Sequence, residues 1–263
     1  ANTPELSGDR VARRELGNRQ LDAETAFRAE WDAVFAPGRE SAIWLWRGDI
    51  QEVSKGRDLM ALLSSALDAK FHYAPKLKNE LINRTRPSSA AIAARGRLIR
   101  AMIESPELAG LGICGYPPER SIYESLFRQS RIHRPSEYGK WCFGAPNGDD
   151  DGLRAAWDLI TDMTCSEALE PVRVDKLVEK LGGPPYGVAM GFAPLLVIAY
   201  VIANSDTMAI YSDDGAFVPN LTAAIGDLLA RRPERFSLLR FTVGGDRQRV
   251  VERFAKGFGV SYG

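Results

Sequence analysis

The chain has 263 residues, a formal net charge of zero, 45% hydrophobic and 26% charged residues. That length carries one large or two modest cores. The composition is ordinary for a globular protein, and the zero balance excludes a surface coated uniformly with basic groups for nucleic acid. Three scattered cysteines, Cys114, Cys142 and Cys165, exclude a disulfide framework and fit a reducing, cytoplasmic compartment. The longest apolar run, 190–203, is too short to span a bilayer and predicts a buried core helix, so no membrane partner is expected.

Residues 1–36 interleave Arg13, Arg14, Arg19, Glu24, Arg28 and Glu30 with sparse apolar positions, Leu16, Leu21, Phe27, Trp31, Val34 and Phe35. This predicts a lead-in helix or pair of helices with little core of its own, stopped at Ala36-Pro37-Gly38. Ile43-Trp44-Leu45-Trp46 reads as a short strand with both tryptophans on one face. Ser54 is placed to cap a helix whose apolar stripe is Leu59, Leu62, Leu63, Ala66 and Leu67. Pro75 breaks the chain, 76–83 predicts a short helix, and Pro87 opens another. On that helix Ile92, Leu98, Ile99, Met102 and Ile103 span roughly 140°, with Arg95 in the middle of the arc.

Further on, 111–113 is a strand candidate, 118–127 a short helix and 140–143 a second strand. The polar loop 147–151 is the best internal boundary. After it come helices over 153–168 and 172–181, the buried helix 189–204, a hairpin through Asp214-Gly215, a helix over 220–231 and a strand over 236–243. The predicted fold is mainly α, of α+β type, with two winged-helix-like units at 41–148 and 149–243. A helical lead-in (1–40) precedes them, and 244–263 starts a following element, as expected of a segment of a longer protein.

The most charged stretch lies between Lys70 and Arg100: eight basic residues against Glu80 alone, a local charge of +7. Asp149 to Glu170 is its counterpart, with seven acids against Arg154. On a nucleic-acid reading Lys76, Lys78, Arg84, Arg86, Arg97 and Arg100 reach phosphates, and Asn79 and Asn83 read base edges. The competing reading is a solvated face or a contact to the acidic block. Arg95 on an apolar face needs an acid, and Glu80, the nearest in sequence, is the expected structural ion-pair partner. His72, His133, Cys114 and Cys142 lack metal-ligand spacing, and Asp149-Asp150-Asp151 reads as a solvated loop, so no metal or cofactor is expected. No nucleophile–base set appears, so no catalytic residue is assigned.

Several short islands occur together: Trp46-Arg47-Gly48, Arg57-Asp58-Leu59, Tyr73-Ala74-Pro75, 79–84 (Asn-Glu-Leu-Ile-Asn-Arg), 115–119 (Gly-Tyr-Pro-Pro-Glu), 184–187 (Pro-Pro-Tyr-Gly), Ala209-Ile210-Tyr211 and 215–219 (Gly-Ala-Phe-Val-Pro). They resemble an internal region of very large bacterial P-loop ATPases from phage-defence islands, of the BREX type and relatives. The resemblance implies a helical region downstream of an ATPase core. This sequence has no Gly-x-x-x-x-Gly-Lys-Ser/Thr, and Gly182-Gly183-Pro184-Pro185 lacks the N–H donors of a phosphate cradle, so no nucleotide site carries over. The leading expectation is a non-catalytic nucleic-acid-binding (DNA-docking) module of such an ATPase. The alternative is a protein-interaction scaffold that packs on the ATPase core or partner subunits.

Overall fold

A computed structural model describes residues 9–37, 42–77, 79–83, 88–165 and 170–241. The described residues fall into two compact units, divided between Ala69 and Lys70. The fold is mixed α+β, mainly helical, with small antiparallel sheets. Among the described residues no helix is long and apolar enough to cross a membrane.

In the first unit, α1 (Arg10–Phe35) is one continuous helix rather than a pair. Asp9 caps it, its carboxylate accepting from the Val11 and Ala12 N–H groups. A hairpin follows, β1 (Trp44–Trp46) and β2 (Asp49–Gln51), with Leu45 opposite Ile50. The turn between them has positive φ at both Arg47 (53°) and Gly48 (91°), the backbone a tight hairpin requires. As expected, Trp44 and Trp46 share the more covered face, while Leu45 is exposed. Helix α2 (Gly56–Lys70) carries the expected stripe. No described residue from 9 to 69 is buried.

The second unit holds the core. Helix α3 (Glu80–Asn83) is one turn, shorter than expected, because Leu77 and Pro75 are tied by a local turn instead. Helix α4 (Ser89–Glu104) starts at Ser88, whose hydroxyl accepts from the Ala91 N–H. Of its expected stripe Leu98, Ile99 and Met102 are buried and Ile103 is half-buried, but Ile92 is exposed; the buried face turns instead through Ala91 and Ala94. The region expected as a strand at 111–113 is instead a 3-10 turn, Ala109–Gly112. Helix α5 (Pro118–Tyr123) continues into a π-turn, Glu124–Arg128. Strand β4 (Trp141–Phe143) is where it was expected, but its partner is β3 (His133–Pro135). The positive φ of Gly110 and Leu111 (62° and 56°) is incompatible with a strand there.

The acidic loop does not interrupt the core. Leu111, Phe127 and Phe143 before it belong to the same cluster as Leu153, Ile160 and Leu196 after it. Asp150 caps α6 (Asp151–Thr164). Then come β5 (Val172–Arg173), α7 (Val174–Gly182) and α8 (Ala193–Ala203). Every residue of α8 from Ala193 to Val201 is buried, with Pro194 in the first turn where its missing N–H is harmless. The hairpin β6 (Met208–Ser212) and β7 (Phe217–Val218) turns at Gly215 (φ 83°), and Asp214 accepts from the Ala216 N–H. Helix α9 (Ala223–Arg231), capped by Thr222, leads to β8 (Phe236–Arg240). Strand β8 inserts between β5 and β6, giving the antiparallel order β5-β8-β6-β7. Where α4 and α9 cross, a Cβ on Gly226 would lie 2.6 Å from Ile103 Cδ1 and 2.9 Å from Ile99 Cγ2, so any side chain there would displace the two isoleucines. The expected element at 244–263 lies outside the described residues.

Candidate functional site

The basic stretch divides by residue. Lys78, Arg84 and Arg86 lie outside the described residues. Asn79, expected to read bases, is 8% exposed. Its amide donates to Ser125 Oγ (2.8 Å) and the Ser121 carbonyl (3.3 Å), and its Oδ1 accepts from the Leu81 N–H (3.0 Å). Both amide protons and the carbonyl oxygen are thus engaged inside the fold, so Asn79 ties α3 to α5. Asn83 is exposed and donates to the Leu77 carbonyl at 3.0 Å.

Lys76 is exposed, and its backbone N–H donates to Asp150 Oδ2 at 3.0 Å. The other oxygen of Asp150 accepts from the Gly152 and Leu153 N–H groups. The basic segment and the acidic loop therefore meet here through one helix cap. A Cβ on Gly152 would lie 2.5 Å from the Tyr73 carbonyl oxygen, so the two backbones touch. The cavity they share, of about 420 Å³, is lined by His72, Lys76, Gln129, Asp149 and Asp150 among others.

Arg97 and Arg100 point away from the α4 core stripe, as expected, but Arg97 is engaged. Its Nε donates to Glu119 Oε1 at 2.8 Å. Glu119 is 8% exposed, and its other oxygen is buried without a hydrogen bond. The Arg97 hydrogen bond holds the Glu119 carboxyl below its ordinary range, and the same bond raises Arg97. Arg100 is exposed and makes no hydrogen bond or ion pair among the described residues.

Arg95 is half-buried, and burial lowers its pKa. The acid whose charge bears on it is Asp227 of α9 rather than Glu80. Asp227 also pairs with Arg231 at 3.1 Å. Arg97, Arg100, Asp227 and Arg231 line a groove between α4 and α9, of about 410 Å³, floored by small and apolar residues such as Gly96 and Ala224. Sequence reasoning missed Asp227, Arg231 and Glu119. They stand 20 to 140 positions away, and only the small residues at Gly96 and Gly226 signal a close crossing.

His133 is buried. Its Nε2 is 2.7 Å from the Pro106 carbonyl and its Nδ1 is 2.9 Å from the Tyr123 hydroxyl. A carbonyl only accepts, so Nε2 carries the proton and Nδ1 accepts from Tyr123. Burial pushes this histidine below its ordinary pKa. Among the described residues no group of three or more His, Cys, Asp or Glu is placed to hold a metal.

A further exposed feature is apolar and lies in the first unit. Phe27, Trp31 and Phe35 stack along α1, with ring centroids 5.8 and 4.5 Å apart. Phe27 is 64% and Trp31 53% exposed. On α2, Met60, Leu63 and Leu67 are exposed, as are Ile43, Leu45 and Ile50 around the hairpin. No family, no curated protein and no solved structure matches this chain.

Proposed function

We propose that this chain is a non-catalytic, cytoplasmic interaction module whose first unit docks on protein. This is the scaffold role that the resemblance to the large phage-defence ATPases would give it, on an ATPase core or partner subunits. One observation carries the reading: the described residues from 9 to 69 bury no side chain, yet present an aromatic stripe on α1 and a leucine stripe on α2. Exposed apolar surface of this extent is characteristic of a surface that another molecule covers. The test is a photo-crosslinking amino acid at Phe27 in the full-length protein. Crosslinks to a second polypeptide, lost with Trp31→Asp and Phe35→Asp, are expected. Crosslinks confined to residues 70–241 of the same chain would overturn the reading.

A second reading, nucleic-acid binding, is favoured by the groove in which Arg97, Arg100 and Arg231 converge. The element order α6–β5–α7–α8–hairpin follows that of a winged helix, but α8, at the recognition-helix position, is buried. Phosphate contacts would therefore run through α4 and α9. A labelled duplex and single strand titrated across a salt series test this. Three phosphate contacts predict a log–log slope near about −3, lost when Arg97, Arg100 and Arg231 become Gln. No binding at low salt leaves the docking reading alone.

A further inference from the structure

Helix α1 has a second property besides its stripe. Its N-terminal half, 10–22, carries Arg10, Arg13, Arg14 and Arg19 against Glu15 and Asp22, a net +2. Its C-terminal half, 23–35, carries Glu24, Glu30 and Asp32 against Arg28, a net −2. The side chains Leu16, Gln20, Ala23, Phe27, Trp31 and Val34 fall within an arc of about 80° at about 100° per residue, so a seam, polar only at Gln20, runs from Leu16 to Val34. At about 1.5 Å per residue the helix is roughly 39 Å long, and none of it is buried.

A surface that is positive at one end, negative at the other and apolar along one seam is complementary to itself under a two-fold axis. That is the condition for an isologous interface. Set antiparallel and centred between Leu21 and Asp22, two copies lay each basic half along the other's acidic half and bring Leu16 of one beside Phe27 of the other. A parallel arrangement puts like charge on like. The chain's zero net charge adds no overall repulsion between copies.

We propose that α1 is a self-association element, its seam covered by α1 of a second copy of this chain in antiparallel orientation. The inference rests on the docking reading above and names the occupant.

Sedimentation of the full chain across a concentration series is the test, with two charge-reversal sets. One carries Arg13→Glu, Arg14→Glu and Arg19→Glu; the other carries Asp22→Lys, Glu24→Lys and Glu30→Lys. All six side chains are exposed, and circular dichroism checks that the helix persists. The unmodified chain is expected to dimerise, more weakly at high salt. Each set alone should weaken dimerisation by at least about ten-fold, and an equimolar mixture of the two should form a heterodimer. Orientation is read with a short bismaleimide after Cys114, Cys142 and Cys165 are changed to Ser. Gln20→Cys pairs should join and Val34→Cys pairs should not. A monomer at every concentration, a dimer indifferent to both sets, or efficient joining at Val34→Cys would overturn the proposal. If the chain is monomeric but Phe27 still crosslinks a different polypeptide, the docking reading survives and only the second copy is wrong. If Phe27 crosslinks no other polypeptide, both fall.

Discussion

Helices α2 and α4 carry apolar stripes of the same periodicity, and they meet opposite fates. On α4 the stripe is sealed: Ala94, Leu98, Ile99 and Met102 are 0% exposed. On α2 no stripe residue is buried, and Leu63 and Leu67 remain 47% and 54% exposed. Periodicity sets which face of a helix is apolar, but not whether the same chain supplies a cover. In the second unit the cover comes from long-range partners, α5, α8 and α9, whose own stripes face the same core. The described residues of the first unit have no equivalent, and the docking proposal rests on that difference.

The largest effect that separates the two regions is truncation of a stripe leucine. Leu98→Ala should cost about 2–5 kcal/mol in urea unfolding, the transfer loss plus the cavity left behind. Leu67→Ala should change stability by no more than about 0.5 kcal/mol. Equal losses would mean that the α2 stripe is core after all.

Two helix glycines sharpen the contrast. A Cβ on Gly226 runs into Ile99 and Ile103, so Gly226→Ala should destabilise by about 1–3 kcal/mol through overpacking. A Cβ on Gly17, in the body of α1, meets nothing within 4 Å. Gly17→Ala should therefore raise helicity, by up to about 1 kcal/mol of propensity, without lowering the melting temperature.

A smaller effect is confined to the second unit. His133 is held neutral by burial, below its unfolded pKa. Between the two values the unfolded chain carries the extra proton, so stability should fall as pH drops below about 6.5. His133→Phe should flatten that limb of the melting-temperature profile. Smaller still is the acid limb from Glu119. Its depressed carboxyl contributes above the unfolded carboxylate range and loses that contribution on acidification. Arg97→Met removes the hydrogen bond responsible, and acid titration of stability should then lose part of its slope.

Much of the second unit was legible in the sequence because its signals are local. The run 190–203 announced α8, Asp214-Gly215 placed the β6–β7 turn, and the spacing of Leu98, Ile99 and Met102 fixed the buried face of α4. What was not legible is long-range. The insertion of β8 between β5 and β6 is a pairing across more than twenty residues that no local pattern encodes. Asn79 was expected to read base edges because it lies in the basic stretch; it is buried because Ser121 and Ser125, forty residues on, satisfy it. Arg95 was correctly placed on an apolar face, but the acid beside it comes from α9, and nearness in sequence pointed to Glu80 instead. The β1–β2 hairpin went partly unread because Arg47 adopts a positive φ that its side chain does not advertise.

Hydrogen exchange on the full chain at two protein concentrations tests the central claim most directly. Backbone amides of α4, α6 and α8 should be protected equally at both, because the second unit buries its own stripes. Amides of α1 should exchange rapidly in dilute protein and slow down as concentration rises and a partner covers the seam. Strong protection of α1 in dilute, monomeric protein would contradict the account, because it would show that the first unit's apolar surface is already covered within its own chain.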